Sequence, residues 1–272
     1  MPELPEVETT LRGITPHLMG QTITEVIIRH YGLRWPITPD IIQRLQGVTI
    51  TQLARRGKYL LLHLTQGTLI IHLGMSGRLA LLSTPTPAQK HDHVDVRVSN
   101  QKLLRFTDPR RFGAFLWTED PAQHALLAHL GPEPLTADFS ADYLHQRALN
   151  KKIAVKLFIM DQKIVVGVGN IYANEALFLA GIHPGTPAGV ITLSQYEQLV
   201  HHIKITLQRA IKQGGTTLKD FLSSEGKPGY FSQHLHVYGR GQQPCTQCKT
   251  ILIAIEMGKR NTVFCPQCQC SS

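Results

Sequence analysis

The chain has 272 residues, 42% of them hydrophobic, and its 28 lysines and arginines outnumber its 19 acidic residues. The length suggests about two domains, and the net charge of +9 favours a polyanionic partner. No apolar run reaches the ~18 residues of a membrane span, and no basic amphipathic helix indicates a membrane surface as partner. The opening residues carry charge where a signal peptide would be apolar, so we expect a cytoplasmic protein with no membrane partner.

The N-terminus offers an unusual nucleophile. Removal of Met1 would make Pro2 the first residue and leave its ring nitrogen as a secondary amine. A free α-amino group has a pKa near 7.7–8.0 against about 10.4 for lysine, so roughly a tenth or more of it is unprotonated at pH 7. Attack by a secondary amine on an aldehyde-like carbon gives a cationic iminium, which can serve as an electron sink.

A helix is predicted to begin directly after this proline. Pro5 fits the first helical position, and the buried face would carry Val7, Leu11 and Ile14. The positive end of the helix dipole would disfavour the ammonium form of the Pro2 amine, and Glu3 is close enough in sequence to exchange protons with its substrate. The alternative is that Pro2 and Glu3 belong to a frayed terminus without a role.

The first half of the chain is strand-like. Its β-branched and aliphatic runs are short and are separated by Gly, Pro, Ser or Asn, which is typical of strands and turns. Eight runs of this kind predict a β-sandwich. They are Thr22–Arg29, Val48–Ala54, Tyr59–Leu64, Thr68–Leu73, Arg78–Leu82, Val94–Val98, Leu103–Phe106 and Ala114–Trp117.

The second half is helical after the Pro-rich break at 131–134. One helix is predicted from near Asn170 to Gly181, after two glycines. Another should start with a capping box of Ser194 and Glu197 and end at Gly214. Its apolar stripe is predicted to be core: Tyr196, Leu199, Val200, Ile203, Leu207, Ala210 and Ile211.

Near the C-terminus, four cysteines have the spacing of a structural zinc hairpin. Cys245 and Cys248 form one C-x2-C pair, and Cys265 and Cys268 form the second after sixteen residues. Disulfides are the alternative, but five cysteines and no secretory signal argue against them. We interpret Cys270 as an incidental tail residue.

Three stretches together resemble bacterial formamidopyrimidine-DNA glycosylases: the opening 2–8 (PELPEVE), the turn 167–172 (GVGNIY) and the cysteine ribbon. The resemblance extends over essentially the whole chain. It implies an α+β fold with an N-terminal β-sandwich, a helix-two-turns-helix domain and a hairpin holding one structural Zn2+. It also implies a monomeric base excision repair enzyme, a glycosylase and AP lyase that removes 8-oxoguanine and formamidopyrimidines from damaged double-stranded DNA.

The expected domains are a catalytic β-sandwich at 1–132 and a linker with a first helix at 133–150. The helix-two-turns-helix domain with a lesion lid would span 151–230, and the zinc hairpin 231–272. In this family the proline attacks C1′, expels the base and forms a Schiff base that leads to β- and then δ-elimination.

The resemblance assigns four catalytic positions. Pro2 matches the nucleophile and Glu3 the acid that protonates the opening sugar. Lys58 matches the proton donor of β-elimination, although a lysine at a strand edge more commonly extends its ammonium to solvent. Arg260, at the hairpin tip, matches the arginine of δ-elimination. A guanidinium has a pKa above about 12 and is a poor acid, so we favour phosphate binding for Arg260.

Other family positions predict contacts with DNA. Met75, Arg110 and Phe112 match residues that fill the gap left by a flipped base, with the arginine facing the orphaned base. Core packing is the alternative for Met75 or Phe112 alone. His91, Arg110 and Lys151 match backbone or lesion-strand contacts.

Asn170, together with Gly167 and Gly169, is predicted to cradle a phosphate at a helix start. Lys156 would join these contacts, although Leu157 stands where relatives often have proline. The stretch from Gly214 to Tyr230 resembles a mobile lid. His91-Asp92-His93 could be mistaken for metal ligands, but no third ligand is evident in the sequence.

Two other functions remain open at this point. The related endonuclease VIII type prefers oxidised pyrimidines, but it typically opens with glycine where this chain has Leu4 and lacks the full gap-filling set. A non-catalytic zinc-ribbon DNA-binding module would need only the charge and the zinc. Such a module has no use for a proline amine.

Overall fold

The computed structural model describes residues 1–83, 86–215 and 235–270. These residues form two compact units. The first comprises 1–128 with the described part of 213–232, and the second comprises 129–212 with the described part of 233–272. None of the described helices is long and apolar enough to cross a membrane.

The first unit is built on two four-stranded antiparallel sheets. The strand order is β1-β6-β7-β5 in one sheet and β2-β3-β4-β8 in the other. Core side chains come from both sheets, so the predicted β-sandwich is confirmed. The strands are β1 Ile23–Ile28, β2 Ile50–Arg56, β3 Tyr59–Leu64, β4 Thr68–His72, β5 Arg78–Leu82, β6 Asp92–Val98, β7 Leu103–Thr107 and β8 Ala114–Thr118.

Two helices accompany these sheets, α1 (Leu4–Leu18) and α2 (Ile41–Leu45). Helix α1 begins one residue earlier than predicted because Glu3 caps it and Pro5 takes the second helical position. Val7 and Ile14 enter the sandwich core as predicted, and Leu11 is partly buried against it. The apolar face of α1 therefore fixes its N-terminus on the first unit.

The second unit contains α3 (Ala141–Ala148), α4 (Val155–Met160), α5 (Asn170–Leu179) and α6 (Leu193–Lys212), followed by a hairpin of β9 (Ile253–Met257) and β10 (Arg260–Phe264). Helix α5 is buried along eight consecutive residues from Ile171 to Phe178, so it forms the centre of this unit. It packs against α4, α6 and β10.

The capping box of α6 was predicted two residues too late in the chain. Thr192 Oγ1 accepts from the backbone N–H of Gln195 at 3.3 Å, and Gln195 Oε1 accepts from the backbone N–H of Thr192 at 2.9 Å. Ile191, before the cap, and Tyr196, four residues into the helix, are both buried, as in a hydrophobic staple. Burial of Ile191 thus selects Thr192 as the cap, while Ser194 and Glu197 are exposed.

Candidate active site and nucleic-acid interface

The predicted nucleophile and acid lie at the capped start of α1. Pro2 is buried, and only 1% of Glu3 is exposed. The backbone N–H of Glu3 donates to Glu6 Oε2 at 2.9 Å, and the Glu3 side chain accepts from the backbone of Glu6. This reciprocal capping box orders the terminus. The frayed-terminus alternative therefore does not describe Pro2 and Glu3.

Lys58 occupies the two-residue turn between β2 and β3, and its side chain is 5% exposed. Gly57 supplies the positive φ of +58° at the first turn position, where a tight hairpin turn needs glycine. Arg55 donates from Nη1 to the Gly57 carbonyl and from Nε to Glu8 Oε2, each at 2.9 Å. The turn that carries Lys58 is thereby tied to α1.

The carboxylate in this link is ionised. Burial would raise the pKa of Glu8, but the hydrogen bonds and charges of Arg55 and Arg12 outweigh burial and hold that pKa below its usual value. The ion pair between Arg55 and Glu8 is largely shielded, with 11% and 17% of the two side chains exposed. It can therefore hold the turn more firmly than a surface pair would.

Sequence reasoning missed His72, at the end of β4. Burial, together with the positive charges of Lys58 and Arg34, lowers the pKa of His72 to about 4. Its Nδ1 lies 3.1 Å from the backbone N–H of Gly74 and accepts from it, so the neutral ring carries its proton on Nε2. The only sequence signal was a histidine in the otherwise apolar run 69–73.

Met75, Arg110 and Phe112 lie on two loops and are exposed, Met75 by 37% and Phe112 by 41%. The core-packing alternative is therefore wrong for Met75 and Phe112. The Arg110 guanidinium carbon lies 5.0 Å from the centroid of the Phe112 ring, within the range of a cation–π contact. These three side chains can meet a ligand without unfolding the sandwich.

The buried carboxylate of Asp108 joins these two loops. Ser76 Oγ donates to Asp108 Oδ1, and the backbone N–H of Gly113 donates to Oδ2, both at 2.8 Å. Gly74 has φ +60°, and a side chain there would come within 2.5 Å of the Phe112 backbone. The loops are thus in close contact, and glycine is required at this crossing.

His91 is half-buried and lines a cavity of about 380 Å³ with Arg29, Lys90 and Arg111 among its walls. His93 Nε2 lies 2.7 Å from the Asp108 carbonyl and Asp92 Oδ1 accepts from a threonine hydroxyl, so both residues are engaged within the fold. Across the described residues, only four cysteines are grouped as metal ligands. The basic cavity suits an anion rather than a cation.

In the second unit, Asn170 is the first residue of α5, and its Nδ2 donates to the Asn261 carbonyl at 2.9 Å. Gly167 has φ +82° and leads the chain into this helix start. Lys151 is exposed, as a phosphate contact requires. Lys156 is fully buried and donates to Thr262 Oγ1 at 2.6 Å, so the expectation that it faces DNA is wrong.

Arg260 is exposed and follows the turn of the hairpin. The sulfur atoms of four cysteines lie within 4.8 Å of one another: Cys245, Cys248, Cys265 and Cys268. Tetrahedral zinc with bonds of about 2.3 Å requires sulfur separations of about 3.8 Å. The Sγ atoms of Cys245 and Cys268 are 3.9 Å apart, so the cluster fits this ion.

The four thiols lie in unlike electrostatic environments. Hydrogen bonds from Thr250 lower the pKa of Cys248 to about 6, whereas burial and the neighbouring thiols raise the pKa of Cys268. Four thiolates this close repel each other unless a metal compensates their charge. Backbone N–H groups donate to Cys245 Sγ and Cys265 Sγ, each at 3.4 Å, as in zinc knuckles.

Three family models match the chain: the formamidopyrimidine-DNA glycosylase N-terminal domain at residues 1–115, its H2TH domain at 130–222, and the zinc finger found in FPG and IleRS at 242–269. A formamidopyrimidine-DNA glycosylase of Shewanella loihica is 58% identical over 270 residues, which is 99% of each chain. The chain belongs to the formamidopyrimidine-DNA glycosylase family. The cysteine cluster is therefore a structural zinc site, and the disulfide alternative is wrong.

Solved structures of this family share the whole fold. A Lactococcus lactis Fpg complex with an abasic site containing DNA has a TM-score of 0.91 at 32% identity, covering 99% of this chain and 100% of that chain. A complex of the same protein with an N7-benzyl-Fapy-dG containing DNA has a TM-score of 0.92 at the same identity and coverage. The chain is thus a DNA repair glycosylase of this family, and the non-catalytic zinc-ribbon module is excluded.

The individual site residues stay predictions, as do the domain boundaries. The first unit contains Pro2, Glu3, Lys58, His91 and the two exposed loops, and the second contains Lys151, Asn170 and Arg260. Apart from Gly214 and Gly215, the predicted lid lies outside the described residues.

Proposed function

We propose that this chain is a bifunctional DNA glycosylase and AP lyase of base excision repair that removes oxidised purines and cuts the strand by β,δ-elimination. The supporting observation is the capped, buried N-terminus, which presents Pro2 and Glu3 beside a helix start. A non-catalytic DNA-binding domain needs no such order at its terminus. The proposal takes 8-oxoguanine and formamidopyrimidines as the substrate class.

The nucleophile is the Pro2 amine, which removal of Met1 exposes. It attacks C1′ of the damaged nucleotide, the glycosidic bond breaks, and the base leaves. Ring opening of the sugar then gives a cationic iminium between Pro2 and C1′. Loss of a C2′ proton expels the 3′ phosphate, and a second elimination expels the 5′ phosphate.

Glu3 and Lys58 act as proton donors in these steps. Glu3 is held against the helix start, where it can protonate the opening sugar oxygen. Lys58 is held in a turn fixed by the bond of Arg55 to Glu8, and it donates a proton during β-elimination. Neutral His72 can add an Nε2–H donor to an anionic group near Lys58, since its ring stays uncharged at pH 7.

Damaged double-stranded DNA is the proposed partner. The exposed Met75, Arg110 and Phe112 would fill the space of the extruded nucleotide, and His91, Lys151 and Asn170 would bind the backbone. The basic side chains among these residues would neutralise several phosphates. The protein would act as a monomer in the cytoplasm.

Borohydride trapping tests the nucleophile. Reduction during turnover of an 8-oxoguanine:cytosine duplex should leave DNA attached to Pro2, and mass spectrometry should find Met1 removed. Pro2→Gly should slow base release far more than lesion binding. The matched control Pro5→Gly keeps the amine and should retain the adduct. No adduct, or retained Met1 in fully active protein, would refute the assignment.

A substrate panel tests the lesion class. Single-turnover rates on 8-oxoguanine and formamidopyrimidine duplexes should exceed those on oxidised pyrimidine duplexes. A one-nucleotide gap with phosphate at both ends should be the final product. The opposite ranking would favour the endonuclease VIII type, and an aldehyde end without the second cut would remove δ-elimination from the proposal.

A further inference from the structure

The hairpin that carries Arg260 is held at two places. Zinc holds the base, because Cys265 directly follows β10. Arg260 lies five residues before Cys265, which is about 16 Å along an extended strand. An isolated two-stranded hairpin is marginally stable, so zinc alone leaves the distant turn weakly fixed.

Polar contacts from α4 and α5 hold β10 near the turn. Lys156 Nζ donates to Thr262 Oγ1 at 2.6 Å and lies 3.4 Å from the Asn261 carbonyl. The same carbonyl accepts from Asn170 Nδ2 at 2.9 Å. The side chains of Lys156 and Thr262 are both fully buried. Their bond is therefore shielded from competing water.

An apolar contact holds the turn itself. Gly258 and Lys259 have φ of +58° and +59°, the signature of a type I′ turn. A Cβ added to Gly258 would lie 2.7 Å from Leu157 Cδ2. Leu157, on α4, thus packs against the backbone of the turn, and a side chain at position 258 would have to displace the end of Leu157 and adopt a left-handed φ. Leu157 and Gly258 form a matched pair.

We propose that α4 is the positioning element for Arg260: Lys156 fixes the start of β10, and Leu157 seats the turn on Gly258. This inference rests on the proposed role of Arg260 at the phosphate in δ-elimination. Lys156 and Leu157 are positioning residues that act through Arg260. Loosening either contact slows the second strand cut and spares base excision, whose proposed nucleophile and acid, Pro2 and Glu3, lie in the first unit.

Lys156→Met keeps the length of the side chain and removes its donor. Under single-turnover conditions on an 8-oxoguanine duplex, it should slow δ-elimination about tenfold and change base excision by less than about twofold. Lys163→Met, an exposed lysine just beyond α4, is the matched control and should change neither rate. Zinc content should stay at one per chain in each variant.

A double-mutant cycle that combines Lys156→Met with Arg260→Gln separates positioning from general destabilisation. If Lys156 acts through Arg260, adding Lys156→Met to Arg260→Gln slows δ-elimination no further. Multiplicative effects, or equal losses in excision and both eliminations, would overturn the inference. If Arg260→Gln alone retains δ-elimination, the proposed role of Arg260 fails and the inference fails with it. If Arg260→Gln loses δ-elimination and Lys156→Met retains it, the inference fails and the proposed role of Arg260 stands.

The Leu157–Gly258 pair gives a second test that does not depend on the buried lysine, and it decides the matter if Lys156→Met loses zinc. Gly258→Ala should slow δ-elimination because its Cβ displaces the end of the Leu157 side chain and because alanine is strained at the positive φ of this position. Adding Leu157→Ala should recover part of the lost rate by opening space. If the fold loss of δ-elimination rate in the double variant equals the product of the losses in the two single variants, the packing argument is refuted.

Discussion

His72 should make the first unit less stable in mild acid. Its pKa is about 4 in the folded chain, against 6.5 for an unperturbed histidine, because of burial beside Lys58 and Arg34. As the pH falls below 6.5, the unfolded chain takes up a proton that the folded chain refuses. The folded state therefore loses stability between pH 6.5 and 4, and it has the full contribution above that range.

The size of the loss follows from these two pKa values. A shift of one unit corresponds to about 1.4 kcal/mol, so the complete effect is about 3 kcal/mol. Between pH 7 and pH 5 the same relation gives about 2 kcal/mol. His72→Gln removes the titrating ring and keeps an acceptor for the Gly74 N–H. The variant should therefore lose about 2 kcal/mol less than the parent protein over this interval.

Urea unfolding followed by tryptophan fluorescence measures this difference. Trp35 and Trp117 are the only tryptophans of the chain, and both lie in the first unit. The midpoint and slope are recorded at pH 7 and pH 5 for each protein. His63→Gln, on the neighbouring strand β3, shows the effect of losing any histidine from this sheet.

Equal pH dependence in His72→Gln and the parent protein would contradict the reasoning. It would mean that the ring of His72 takes up a proton as readily in the folded chain as in the unfolded chain. The neutral-donor role proposed for His72 would then fail as well.

Three further predictions concern the zinc, the Lys58 turn and the charge. Cys248→Ser should release zinc and weaken DNA binding together with cleavage, because the metal supplies the folding free energy of the hairpin; metal analysis and fluorescence anisotropy would check this, and full activity without zinc would contradict it. Arg55→Gln should destabilise the first unit by about 1–2 kcal/mol and slow β-elimination, since the Lys58 turn loses its bond to Glu8. Unfolding and single-turnover assays would measure both effects, and a changed stability with an unchanged rate would show that Lys58 needs no such support. Affinity for duplex DNA should fall steeply between about 50 and 200 mM salt if several phosphates are bound; a flat salt dependence in anisotropy titrations would rule out backbone contacts as the main source of affinity.

Local patterns predicted most of the fold. Short runs of β-branched and aliphatic residues between turn residues placed all eight sandwich strands within two residues of their observed ends, because strand and turn chemistry is local. The zinc site followed from spacing alone. The α6 cap was misplaced because two candidate capping boxes overlap there, and burial of Ile191 decides between them. Burial of one residue depends on the whole fold and could not be derived from a short pattern.

The candidate site was predictable where a motif carries it and not where tertiary contacts do. Asp108 accepts from Gly113, which is five residues away, and from Ser76, which is 32 residues away, so its role depends on the sheets bringing the two loops together. Lys156 illustrates the same limit. The family pattern predicted a DNA contact for Lys156, yet its burial against Thr262 turns the side chain inward, and only packing reveals that direction.

The carboxylate of Asp108 couples the two exposed loops to each other. Because one side chain ties Ser76 to Gly113, the spacing of Met75 and Phe112 is set from beneath rather than by their own sequences. Met75 and Phe112 can therefore be exchanged for other apolar groups without losing the frame that presents them. A substitution of Asp108 should therefore disturb both loops at once, whereas a substitution of Met75 or Phe112 should leave the loop framework in place.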